Sequence, residues 1–140
     1  MYQKDYILRM IEELGKFLAL LFGLIKKGEY KKASEQLGNI YYDLLKEDAA
    51  FFRNIPEEYL AHELLEKHNY TNGHLEILAE LFNAEAELCL AQNDKPGAFS
   101  YSRKSLRLFR FIDTELKTYS QERIDKMKEI EERLKSLEKN

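Results

Sequence analysis

Apolar residues in this chain recur every three or four positions and almost nowhere every two. Ile7, Ile11, Leu14, Leu18, Leu21 and Ile25 are spaced 4, 3, 4, 3, 4, and Tyr30, Ala33, Leu37, Ile40 and Leu44 are spaced 3, 4, 3, 4. Leu75, Leu78, Phe82, Ala86 and Cys89 continue the pattern, and Met127, Ile130, Leu134 and Leu137 close it. A helix advances 100° per residue, so each spacing collects its apolar residues on one stripe, whereas a strand needs strict alternation. No alternating run longer than a few residues occurs. The expectation is an all-α fold of five or six helices in antiparallel hairpins, over 3–27, 29–46, 57–67, 74–92, 96–117 and 121–138. Residues 1–140 are expected to form a single helical domain. Phe17, Leu21, Ile40, Leu78, Phe82, Ala86, Ala98 and Phe109 are its expected core.

Punctuation residues set the boundaries. Gly28 follows Lys26 and Lys27, a glycine stop behind basic residues that suit a helix C-terminus. The link to the next stripe is so short that 3–46 should form a hairpin. Residues 47–55 read as a connector plugged by Phe51 and Phe52. Pro56 before Glu57 and Glu58 is a helix start. Residues 68–73 are a turn cluster, and Asp94 is a fair N-cap for the segment that opens with Lys95 and Pro96. Thr118 with Gln121 has capping-box spacing ahead of the C-terminal helix. The first segment is apolar on extra faces through Leu20, Phe22 and Leu24. Its Gly15 and Gly23 cost helix propensity and suggest places where another backbone packs close.

Composition excludes several functions. Among 140 residues there are 22 basic and 25 acidic side chains, giving a net charge of −3. Residues 1–70 carry 10 basic and 12 acidic residues, which leaves 12 and 13 for 71–140. Neither half is a polybasic arm, so nucleic acid is an unexpected partner. One cysteine makes neither an internal disulfide nor a cysteine-rich zinc site. The longest apolar run, Phe17 to Ile25, is nine residues, against about 20 for a bilayer span. The first residues lack the basic n-region of a secretory signal, so cytoplasmic residence is expected and a membrane partner is not.

No constellation suggests catalysis. His62, His68 and His74 are six apart, a spacing that scatters them around any helix, and they read as exposed turn residues. Neither Glu-x-x-His nor His-Glu-x-x-His occurs. Cys89 lies on an apolar stripe and reads as a small core residue. Phosphate loops, dinucleotide glycines and nucleophile elbows are missing. No enzyme activity, metal, cofactor or small-molecule substrate is expected. Arg103, Arg107 and Arg110 form a basic stripe, with Lys104 beside it, and Glu76, Glu80, Asn83 and Glu87 form an acidic-polar one. Either these are solvated faces with weak cross-helix pairs, or they take a charged partner.

The two hairpin turns are alike. Each turns at a Gly or Asn (Gly28, Asn93) and places Ala five residues later (Ala33, Ala98). This resembles the turn of tetratricopeptide repeats, in which small residues let paired helices approach. Ala86, Ala98, Ser105 and Phe82 stand where that family favours small residues and a large aromatic. The resemblance implies a tetratricopeptide-like hairpin over 74–117. The units are 65 residues apart, so a regular tandem array is not implied. In the family's carboxylate clamp Asn83 fits one position, but Leu18 and Phe22 occupy the matching places of the first pair, so the clamp is not carried over. The opening DYILRMIEELGKFLALL and the later ELFNAEAELCLAQND also look like an uncharacterised family of small bacterial helical proteins, which implies a bacterial source and no chemistry. The function expected is a non-catalytic protein-interaction or scaffold module, self-associating as a homodimer. Its candidate interaction residues are Phe22, Asn83, Glu87, Arg103, Arg107 and Arg110. The alternative is a small regulatory protein that binds a polyanion or acidic peptide through the Arg103, Arg107 and Arg110 stripe.

Overall fold

The computed structural model describes residues 2–117 and 119–139, leaving aside the side chains of 2–4 and 67. Its described residues contain helices and no strand. The helices expected of one domain are distributed over two compact units, Met1–Ile55 and Pro56–Asn140.

In the first unit, α1 (Tyr2–Lys26) packs on α2 (Tyr30–Leu45). The turn between them is made by the main chain. Glu29 N–H donates to the Leu24 carbonyl and Gly28 N–H to that of Ile25, with Gly28 at φ 80°. This crossed pair of bonds satisfies the last carbonyls of α1, and the positive φ is why a glycine stands there. Met10, Leu14 and Leu21 are buried on α1, while Ile11 is exposed and Phe17 only half-buried. One neighbouring helix covers one stripe, so the extra apolar faces of α1 stay in water: Leu8, Leu20 and Phe22 are exposed. On α2 Ile40, expected in the core, is only half-buried, and the neighbouring Tyr41 is fully buried. The cause is the segment taken for a plain connector. Asp48 accepts a 2.9 Å bond from Phe51 N–H and starts the short α3 (Ala49–Arg53). Phe52 then stacks on Tyr41 with centroids 5.7 Å apart, and the Arg53 guanidinium lies 5.6 Å from the Tyr41 ring.

The second unit opens on a segment whose winding loosens as it proceeds. Glu57–Tyr59 is a 3-10 turn, α4 (Leu60–His62) is a single α turn, and Glu63–Lys67 is π-helical. Leu60 and Leu64 are buried and Leu65 is half-buried. The Leu64 carbonyl accepts from both His68 and Tyr70 N–H, and the chain turns at Asn69, φ 57°. Thr71 then caps α5 (Asn72–Ala91) two residues earlier than the spacing predicts. Its hydroxyl oxygen accepts from His74 N–H, while Thr71 N–H donates to His74 Nδ1 at 3.0 Å. His74 also stacks on Tyr70, so it is a half-buried capping residue and not an exposed one. Burial lowers its pKa from the ordinary imidazole value.

The α5 helix is the centre of this unit. Leu75, Ile77, Leu78, Ala79, Leu81, Phe82, Ala84 and Ala86 are all fully buried. A turn at Asn93, φ 61°, repeats the crossed bonds of the Gly28 turn: Asp94 N–H to Cys89 and Asn93 N–H to Leu90. Asp94 also caps α6 (Lys95–Leu116), its carboxylate accepting from Gly97 N–H at 2.9 Å. Ser105 Oγ donates to the Ala79 carbonyl at 2.7 Å, and the rings of Tyr101 and Phe82 lie 5.8 Å apart. As one partner number rises the other falls, so α5 and α6 run antiparallel. Ala98, Ser102 and Ser105 are buried against it, small residues that permit close approach. The last helix, α7 (Gln121–Glu138), is capped by Ser120, which accepts from Arg123 N–H. The capping box expected at Thr118 lies outside the described residues. Only Ile130 of the C-terminal apolar seam is buried; Met127, Leu134 and Leu137 are half-covered. The structure thus holds seven α-helical segments among its described residues, where five or six are expected from spacing.

Candidate functional site

Two helix faces and one carboxylate form a surface depression. Between α6 and α7 runs a groove of about 470 Å³ with Leu106 and Leu134 in its lining. Leu106 is buried and Leu134 half-buried. The groove's basic residues are Arg103, Arg107 and Arg110 from α6 and Lys135 from α7; its acids are Glu57, Glu131 and Glu138. The 4, 3 spacing of the arginines puts them on one face, and all three are exposed.

The stripe is partly neutralised. Arg103 Nε donates to both Glu57 oxygens at 2.8 and 3.0 Å, and Arg107 Nη1 stands 3.8 Å from the same carboxylate. Arg110 Nη2 reaches Glu131 at 3.3 Å. The Arg103 hydrogen bond, helped by the charges of Arg103, Arg107 and Lys104, holds the Glu57 carboxyl below the ordinary carboxylate range against its own partial burial. Arg107 therefore has an ion pair without a close hydrogen bond, and Lys135 has no ion pair among the described residues. Two acids of α5 pair elsewhere, with α7: Lys126 Nζ lies 3.9 Å from Glu80, and Arg133 bonds Glu87.

Arg133 is the junction of the unit. Its Nη1 donates to Asn83 Oδ1 at 2.8 Å and to Ser102 Oγ at 3.2 Å, while Nη2 donates to Glu87. One guanidinium therefore joins α5, α6 and α7. Asn83, a candidate interaction residue, is buried and engaged in this junction. Glu87 pairs with Arg133 with its side chain 41% exposed. Phe22 lies in the other unit, exposed on α1. Of the candidate residues, the groove gathers the three arginines alone.

A second depression, about 360 Å³, is lined by Glu76, Glu80, Glu122, Asp125 and Glu129 around Arg123 and Lys126. Burial raises the carboxyl pKa of Glu76 and of Glu80. Among the described residues no group of His, Cys, Asp and Glu is disposed to hold a metal ion. His62 pairs with Glu66 at 3.1 Å, away from the cap built by His74. Among the described residues no helix is long and apolar enough to cross a membrane.

Two residues escape a reading of the sequence. Glu57 reads as a first-turn acid after Pro56, with no sign of a partner 46 positions on. Arg133 looks like one more surface charge beside Leu134. Comparison with protein families, curated proteins and solved structures returns no match.

Proposed function

We propose that this chain is a non-catalytic protein-interaction or scaffold module of the bacterial cytoplasm that self-associates, built on tetratricopeptide-like hairpins. The observation that carries the proposal is the uncovered apolar face of α1. Leu8, Ile11 and Phe22 are exposed, and Leu20 is 69% exposed. Covering each such side chain is worth about 1.5–3 kcal/mol; Leu8, Ile11 and Phe22 share one side of the helix and mark a docking surface, while Leu20, nine residues from Ile11, stands on the opposite side.

The face is suited to a second copy of itself. Leu8 and Phe22 each stand seven residues from Gly15, and all three share one side of the helix. Nothing lies within 4 Å of where a Gly15 side chain would begin. In an antiparallel pairing about a two-fold axis at Gly15, Leu8 meets the partner's Phe22 and Ile11 meets the partner's Ala19, large against small. The shared main-chain pattern of the Gly28 and Asn93 turns, each followed by a buried alanine, supports the tetratricopeptide-like reading. The pairing of the arginine stripe with Glu57 and Glu131 favours a mixed-charge protein surface over a polyanion site.

Sedimentation equilibrium tests the proposal. The expected mass is that of two chains, reverting to one in Phe22→Glu with helicity retained. Leu134→Glu, on the other candidate surface, should leave the dimer intact. A single-chain mass at high micromolar concentration refutes it.

A further inference from the structure

We infer that the groove between α6 and α7 is a second, separate docking site, and that it takes an acidic protein segment carrying an apolar anchor residue. The apolar lining of Leu106 and Leu134 offers a place for one aliphatic side chain. The rim beside it offers cations with capacity to spare among the described residues: Arg107, with a single ion pair at 3.8 Å, and Lys135, with none. Arg110, 61% exposed and 3.3 Å from Glu131, can exchange that carboxylate for another at little cost.

Glu57 shows how a carboxylate is received there. It lies against Arg103 and Arg107 in the position an incoming acid would use, only 14% of its side chain exposed. It is an internal competitor, held by the same charge-assisted bonds the ligand would make.

The charge pattern selects a peptide over a nucleic acid. Four basic residues and three acidic ones line the groove, a net of one positive charge. A polyphosphate places charge at every step and would meet Glu57, Glu131 and Glu138. A peptide can set its acids against the cations and its aliphatic side chain between them.

The inference does not rest on self-association, because the groove and the α1 face lie in different units and are struck by different variants. The test follows the Leu106 and Leu134 methyl signals by NMR during addition of an end-blocked synthetic peptide with one leucine between pairs of glutamates. Both methyls should shift, and replacing the peptide glutamates by glutamine should abolish the shift. Arg107→Glu, and independently Lys135→Glu, should weaken binding by about tenfold, the loss of one charge-assisted contact. Glu57→Gln should tighten it several-fold by removing the competitor. The inference is overturned if neither methyl shifts at millimolar peptide in the wild type or Glu57→Gln. It is equally overturned if the glutamine peptide shifts them as strongly, or if an oligothymidylate shifts them at lower concentration than the acidic peptide.

Discussion

The helices α1 and α5 are both long and apolar, and they end in opposite situations. Along α5 nearly every face is covered, whereas α1 leaves Leu8, Ile11, Leu20 and Phe22 in solvent. The difference lies in what each can bring close. Ala79, Ala84 and Ala86 of α5 are fully buried, as are Ala98, Ser102 and Ser105 of α6. Small side chains at a crossing let two backbones approach, and Ser105 exploits this by bonding directly to the Ala79 carbonyl. In the first unit the buried residues of α1 and α2 are mostly larger, Met10, Leu14, Leu21, Leu37, Tyr41, Leu44 and Leu45, with Ala33 the one small side chain among them. Apolar content is therefore a poor guide to which helix becomes covered.

The sharpest way to break this comparison is to hollow both helices. Phe82→Ala should cost about 3–5 kcal/mol, because it removes a fully buried ring from a close-packed layer. Leu20→Ala should change stability by less than about 0.5 kcal/mol. Denaturant titrations giving equal losses would contradict the contrast. Next in size is Arg133→Ala, which leaves the Asn83 carbonyl without its charged donor in a buried setting and should cost about 2–3 kcal/mol. Arg133→Lys should recover little, since one ammonium does not match the three acceptors a planar guanidinium reaches.

Glycines sharpen the same comparison by changing its sign. A side chain at Gly97 would run into the Asp94 carboxylate and stand 2.8 Å from Cys89 Sγ. Gly97→Ala should push Asp94 off its capping bond and cost about 1–2 kcal/mol. At Gly23 nothing lies within 4 Å, contrary to the close packing its position suggests. Gly23→Ala should add about 0.5–1 kcal/mol through helix propensity alone. Thermal melts should therefore move in opposite directions.

A pH titration separates the carboxylates within the second unit. The Glu57 pKa is depressed when folded, so its stabilisation is present above the ordinary carboxylate range and is lost as pH falls through the folded value. The pKa of Glu80 is raised by burial, so the folded state holds its proton longer and stability falls as pH climbs through the raised value. Glu80→Gln should therefore raise the melting temperature at neutral pH, and Glu57→Gln should not. His74 adds a third window. Its folded pKa is lowered, so its contribution is lost as pH drops below about 6.5, where the unfolded imidazole takes a proton. Melts of His74→Gln should lack that step.

Local chemistry was readable in advance and long-range partnership was not. The five long helices begin and end within two residues of their spacing-based bounds, because stripes, Gly28, Pro96 and Asp94 are all local signals. The α3 turn escaped because Phe51 and Phe52 carry no period in so short a stretch, yet Asp48 was a visible cap. The irregular winding of 57–67 and the promotion of Tyr41 over Ile40 depend on tertiary neighbours. So does the groove: the arginine spacing marked one wall, while Glu57 and Lys135 join it from elements whose placement no spacing rule gives.

The two hairpin turns hold a practical consequence. Their main-chain bonds are the same, but the second carries a refinement that the first lacks: Asp94 caps its helix with a side-chain bond, and Glu29, at the equivalent place, does not. The turns are interchangeable parts of unequal finish. Transplanting the better part by Glu29→Asp offers the Lys32 N–H an acceptor and should raise the stability of the first unit by about 0.5–1 kcal/mol, read as a higher melting midpoint. The chain thus contains, in its own later half, the template for repairing its earlier one.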